Sequence, residues 1–221
     1  MRQTATGAAD WRHARAAGML YLAIIVLGIG AEAGLRAPLI DWQSGAATAA
    51  ALTEGMGRFR LSILFDLAMA ASDVALAVLL YAMLRAVARL LALIAMVLRL
   101  TQAAVIAGNA MALRAAGEIA AAGGDPLPRL AEHAAGYDLG LFFFAFNSLM
   151  MAVLLIRAGA PRVIGWGIGA AGLVYLGGSM TRFVAPELNA AMQMGYIVPV
   201  IAETALMVWL LVFAARRVAR G

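Results

Sequence analysis

Leu61-Ser-Ile-Leu-Phe-Asp-Leu-Ala-Met-Ala-Ala-Ser-Asp-Val-Ala-Leu-Ala-Val-Leu-Leu-Tyr-Ala-Met-Leu84 decides the fold. At about 1.5 Å of rise per residue, a helix of this length crosses the roughly 30 Å hydrocarbon core of a bilayer. Yet the stretch holds two aspartates, Asp66 and Asp73. A charge near mid-membrane costs about 3 kcal/mol on insertion scales, so such residues turn towards partners on other helices. The stretch is therefore one member of a bundle with a polar interior.

Five more stretches of spanning length flank it, giving spans near 16 to 35, 61 to 84, 90 to 113, 135 to 156, 163 to 183 and 196 to 215. The chain is 64% hydrophobic and only 13% charged, with mean hydropathy +0.89, far too apolar for a soluble domain of ordinary composition. The expected fold is all-α: one transmembrane bundle of six helices over 1–221.

Every basic residue is arginine, and the arginines are unevenly placed. Arg2, Arg12, Arg15, Arg85, Arg89, Arg157, Arg162, Arg216, Arg217 and Arg220 lie in the termini and two short connections, against the single acid Asp10. The other connections mix Arg36, Arg58, Arg60, Arg114, Arg129 and Arg182 with acids. The positive-inside bias then predicts both termini in the cytoplasm of a cell with an inner membrane. This topology accounts for the pI near 10.4, so no nucleic-acid partner is expected. Residues 1–33 have some features of a signal peptide, but the apolar run is of spanning length and five more follow, which favours an uncleaved first helix.

Residues 37–57 and 115–133 are expected to form long outer connections, with Ala46–Leu52 as a short helix on the membrane surface. Trp11 and Trp166 near the inner ends, and Trp42, Tyr137 and Tyr196 near the outer, suit interfacial aromatic belts. The glycine pairs Gly30/Gly34, Gly136/Gly140 and Gly165/Gly169 allow close helix approach, within one chain in preference to a dimer face. No internal repeat is evident, which weakens a transporter built from inverted halves.

Counting back to the arginines at about 1.5 Å per residue puts Asp73 at about 18 Å, Arg99 at about 15 Å, Asn147 at about 15 Å and Glu203 at about 20 Å. Four helices thus bring polar groups into one thin slab, with Arg99 as counter-ion for Asp73 or Glu203. A second tier of Glu32, Asp66, Gln102, Asn109 and Asp138 lies nearer the outer surface. Together they predict an outward-facing pocket for a small-molecule or cation ligand, with Asp73, Arg99 and Glu203 as floor and Glu32, Asp66, Asn109 and Asp138 at the mouth. The alternative is that these groups only hydrogen-bond helices together.

Catalytic constellations are not evident. No cysteine is present, and His13 and His133 cannot supply a clustered zinc site. His133 reads as an interface residue. Glu32, Asp66 and Asp138 are candidate oxygen ligands for a cation. Neither Ser148 nor Ser179 has a histidine at matching depth. The glycine-rich segment Gly165 to Gly172 follows no strand and reads as helix packing. No cofactor is expected.

Several local patterns stand out along the chain: Ala16-Ala-Gly-Met-Leu-Tyr-Leu22; Arg60-Leu, Asp66-Leu and Asp73-Val-Ala-Leu-Ala with Tyr81; Arg99-Leu-Thr-Gln-Ala103; Gly140-Leu-Phe-Phe; Pro161-Arg-Val-Ile-Gly; Gly172-Leu-Val-Tyr-Leu; and Glu203 before Trp209-Leu-Leu. With these marks, nearly the whole chain resembles a family of bacterial multi-pass membrane proteins described as domain of unknown function 4386. The resemblance implies six helices and carries over no functional role. The reading that follows is a non-enzymatic binding or permeation unit in the lipid bilayer. Its rivals are an intramembrane enzyme acting on lipid head groups, with carboxylates as acid and base, and a scaffold or regulatory subunit.

Overall fold

A computed structural model of the chain describes residues 7–215; Arg2, Arg216, Arg217 and Arg220, counted above in the basic face, lie outside them. Among the described residues the fold is all-helical, without strands. Six runs are long and apolar enough to cross a membrane: Trp11–Leu39, Met56–Leu84, Arg89–Ala121, Leu127–Arg157, Arg162–Val184 and Pro186–Ala214. The protein is a multi-pass membrane protein.

Helix α1 (Ala14–Ile29) runs into a π-helical segment, Gly30–Arg36, and a short 3-10 turn. A separate helix, α2 (Gly45–Glu54), follows. Then come α3 (Met56–Leu84), α4 (Arg89–Ala121), α5 (Leu127–Arg157) and α6 (Arg162–Val184). The last run starts with short α7 (Pro186–Met192) and continues as α8 (Ile197–Val208) and a π-helical end, Trp209–Ala214.

The spans close a ring in which α1 packs on α3, α3 on α4, α4 on α5, α5 on α6, α6 on α8, and α8 with its π-helical end back on α1. Both ends of the described chain meet at the arginine-rich end of the bundle. There the Gly7 and Asp10 N–H groups donate to the carbonyls of Ala86 and Met83, each at 2.9 Å. Trp11 meets Trp209 edge-on, with ring centroids 4.9 Å apart, so it is core and not part of a lipid-facing belt. Hydrogen bonds from Arg12 hold the exposed Asp10 carboxyl down to about 2, so it stays ionised as a helix cap.

Small residues set the helix spacing. A Cβ on Gly172 would lie 2.9 Å from the Ala145 carbonyl oxygen, and one on Gly169 would be 3.4 Å from Ala152 Cβ, so α5 and α6 touch backbone to backbone. Gly140 serves α4 and α5 in the same way, against Ile106. Two of the three glycine pairs thus act within the chain. In the first pair, a side chain on Gly30 would meet only the Phe65 ring, and Gly34 has nothing within 4 Å.

The expected long connection at 115–133 is not a loop. Helices α4 and α5 continue through it, and only a tight turn over 122–126 separates them, with Gly123 at φ +76° supplying the left-handed step. A helix of 33 residues is about 50 Å long, so roughly 20 Å of α4 extends beyond the hydrocarbon core. The expected surface helix exists as α2, capped by Ser44, whose Oγ accepts from the Ala47 N–H. It docks against the protruding end of α4 and buries Ala49 and Leu52 with Phe59, Leu113, Ala116, Ala120 and Leu130.

This small apolar cluster is distinct from the main core near the arginine-rich end, which includes Leu76, Leu80, Ala92, Ala95, Met151 and Leu154. Along α3, α4 and α5 alike, the buried polar residues lie between the two clusters: Asp66 and Asp73; Arg99 and Gln102; His133, Asp138 and Asn147. The bundle is a polar layer held between two apolar ones.

Candidate functional site

The polar layer is organised by arginines. Arg36, placed by sequence on the rim, is 2% exposed and lies within the bundle. Its Nη1 is 2.7 Å from Asp66 Oδ2 and its Nη2 is 2.7 Å from Glu32 Oε2; Nη1 also donates to Ser62 Oγ at 3.3 Å. The π-helical segment makes this possible. Its wider turn redirects the residues after Ile29 and lets the Ala37 N–H bond the Glu32 carbonyl, while Arg58 reaches across from α3 to the carbonyl of Gly34.

His133 approaches the same aspartate, with Nε2 3.8 Å from Asp66 Oδ2, and is buried. Its backbone carbonyl accepts from Asn109 Nδ2 at 2.6 Å. On the opposite side Arg182, also expected on the rim, donates from Nε to Asp138 Oδ2 at 2.5 Å. The outer carboxylates are therefore not a naked acidic cluster. Glu32 and Asp66 share one guanidinium and Asp138 takes another, and no group of three or more metal-ligating side chains is gathered among the described residues.

Beside these pairs lies a cavity of about 310 Å³, opening at the end of the bundle away from the arginine-rich face. Glu32, Arg36, His133, Tyr137, Asp138 and Arg182 line it, with Trp42 and Tyr196 among its aromatic walls. The tyrosines expected as belt anchors thus face a cavity. A side chain on Gly178 would collide with the Tyr196 hydroxyl, so α6 gives this ring its seat. Asp66 lies behind Arg36 and does not line the cavity.

The deeper slab divides differently from the expected floor. Arg99 Nε and Nη2 lie 2.6 and 2.5 Å from Asp73 Oδ1. The guanidinium sits between the rings of Tyr21 and Phe144, 5.1 and 4.9 Å from their centroids. Both charges are buried and neither reaches the 310 Å³ cavity. Asn147 Nδ2 donates to the Ala95 carbonyl at 2.7 Å, tying α5 to α4. Gln102 is buried with its Oε1 unpartnered. Glu203, the other partner considered for Arg99, instead accepts from the Tyr175 hydroxyl at 2.6 Å. It lines a second cavity, of about 160 Å³, between α1 and α8.

Reasoning from sequence missed Arg36, Arg182, His133, Tyr137 and Tyr196 as cavity residues. The first and third carried local signals: Glu32 and Arg36 stand four apart, as do His133 and Tyr137, which places each pair on one helical face. Arg182 reaches its partner across helices and carried none, whereas the spacing of Tyr196, Pro199 and Glu203 already placed Tyr196 on one helical face with the polar residues.

The model of the family described as a domain of unknown function, DUF4386, matches residues 16–214, and the chain belongs to that family. No curated protein and no solved structure matches it.

Proposed function

We propose that this member of the DUF4386 family is a binding or permeation unit and not an enzyme, with the 310 Å³ cavity facing away from the cytoplasm and taking a small organic cation. The observation that carries the reading is the convergence of ionisable and aromatic side chains from the π-helical segment after α1, from α5, from α6 and from the 3-10 turn before α8 on one cavity of small-molecule size. The deep wall is charge-balanced, because Arg36 and Arg182 already meet Asp66 and Asp138. Glu32 is the carboxylate left at the surface, 62% exposed, with Trp42, Tyr137 and Tyr196 in the same lining. A carboxylate among aromatic faces suits an ammonium group. A divalent metal fits less well, since it would have to displace an arginine from each carboxylate it took.

A thermal-shift screen of choline, small amines and divalent metals against the purified protein tests this. Binding to the folded state raises stability by RT ln(1 + [L]/Kd), about 2.7 kcal/mol at a hundredfold excess over Kd. The expected result is a shift with an organic cation that is lost in Glu32→Gln and weakened in Tyr196→Ala. Shifts with metals alone, or shifts that survive both substitutions, reject the reading.

A further inference from the structure

The cavity at Glu203 is separate from the one above: Tyr137 lines both and stands as the partition between them. Its position follows from how α1 meets the last span. Near the arginine-rich end the two are in tight contact, where a side chain on Gly18 would strike Leu211. Further along, Ile25 and Ile29 of α1 and Val200 and Thr204 of α8 line a gap instead. Ile29 and Val200 are also on the exposed apolar surface, at 53% and 48%, and that surface faces lipid. Val200 and Thr204 line the broad apolar groove on the other side of α8 as well. The cavity therefore opens sideways, to hydrocarbon.

Into this largely apolar space projects one carboxylate. Glu203 Oε1 is held by the Tyr175 hydroxyl, whereas Oε2 has no hydrogen bond or ion pair among the described residues. Arg99, the nearest candidate cation by depth, is committed to Asp73. The charge of a carboxylate facing hydrocarbon is too costly to leave uncompensated, so it takes up either a proton or a cation that can itself dissolve in the bilayer. The volume suits a cation with an apolar body, since a dry cavity of about 150 Å³ holds a benzene ring. We propose that the gap between α1 and α8 is a lateral binding site for a membrane-dissolved amine, whose ammonium pairs with Glu203 while its apolar part fills the cavity and extends into lipid. This does not rest on the reading of the 310 Å³ cavity.

The test is equilibrium binding of octylamine to the full chain in lipid nanodiscs, with octanol as the neutral twin and empty nanodiscs to subtract partition into lipid. The expected result is saturable binding of octylamine but not octanol. It should weaken roughly thirtyfold or more in Glu203→Gln, the loss expected for removing one member of a buried charge pair. Ile29→Trp, on the lipid-facing lip of the cavity, leaves the carboxylate in place and should also block binding. Gly34→Ala, which enters open space and lines neither cavity, should leave it unchanged. The proposal is overturned if wild type shows no saturable octylamine binding or binds octanol equally well. Binding that survives Glu203→Gln or Ile29→Trp overturns it too; binding that persists in Glu203→Gln and disappears only in Glu32→Gln assigns the amine to the other cavity.

Discussion

Arg36 neutralises Asp66 from the end of a π-helical turn, across 2.7 Å, with both side chains almost wholly buried. Removing one partner of such a pair costs about 3 to 5 kcal/mol, because the other is left as an uncompensated buried charge. Arg36→Met should therefore lower the melting temperature in detergent steeply, and adding Asp66→Leu should restore part of the loss. Glu32 bonds the same guanidinium but is largely exposed, so Glu32→Gln alone should cost no more than about 1 kcal/mol. Equal losses from Arg36→Met and Glu32→Gln would show that the pair contributes nothing special.

The second pair gives a sharper contrast. Arg99→Met should destabilise by about 3 to 5 kcal/mol, and combining it with Asp73→Leu should be far less costly than the sum of the single substitutions. Combining it with Glu203→Leu should show weaker coupling, since Tyr175 and not Arg99 hydrogen-bonds Glu203. Coupling of Arg99 to Glu203 as strong as to Asp73, read from chemical or thermal unfolding of the four variants, would contradict this arrangement.

The glycines make opposite predictions at two positions. Gly172→Ala forces the α5 and α6 backbones apart against the Ala145 carbonyl and should cost about 1 to 3 kcal/mol. Gly34→Ala enters open space and should stay within about 0.5 kcal/mol of wild type by the same melting measurement.

Orientation follows from the arginine bias and is testable directly. Reporter fusions at Arg89 and Arg157 should read cytoplasmic, and those at Glu54 and Asp125 external. The reverse pattern would turn the 310 Å³ cavity towards the cytoplasm.

The six spans were legible, and so was the need of Arg99 for a carboxylate at its own depth, because the bilayer penalises charge so heavily; the choice of Asp73 over Glu203 was not, since both lie in the same slab. Asp66 was recognised as needing a partner, but Arg36 was not recognised as that partner. Hydropathy ends a span where arginine begins, and the extra residue of a π-helical turn breaks the regular period on which face assignments rest. The same blindness shortened α4 and α5, whose far ends are polar enough to read as loop yet pack on α2. Tyr137 and Tyr196 were misread because an aromatic residue near an interface has the same sequence signature whether it faces lipid or a cavity.

The docking of α2 fixes an order in time. Thr53 on this helix bonds the Ala120 carbonyl at the end of α4, 67 residues later in the chain, and Leu52 is buried in a cluster with residues of α3, α4 and α5. During synthesis α2 is made first, and Leu113, Ala116 and Ala120 can close on its apolar face only when α4 has been inserted and its far end has emerged on the same side. The clasp of α2 over the finished hairpin is thus a late event of biogenesis, and Leu52 is only partly covered for as long as that hairpin is incomplete.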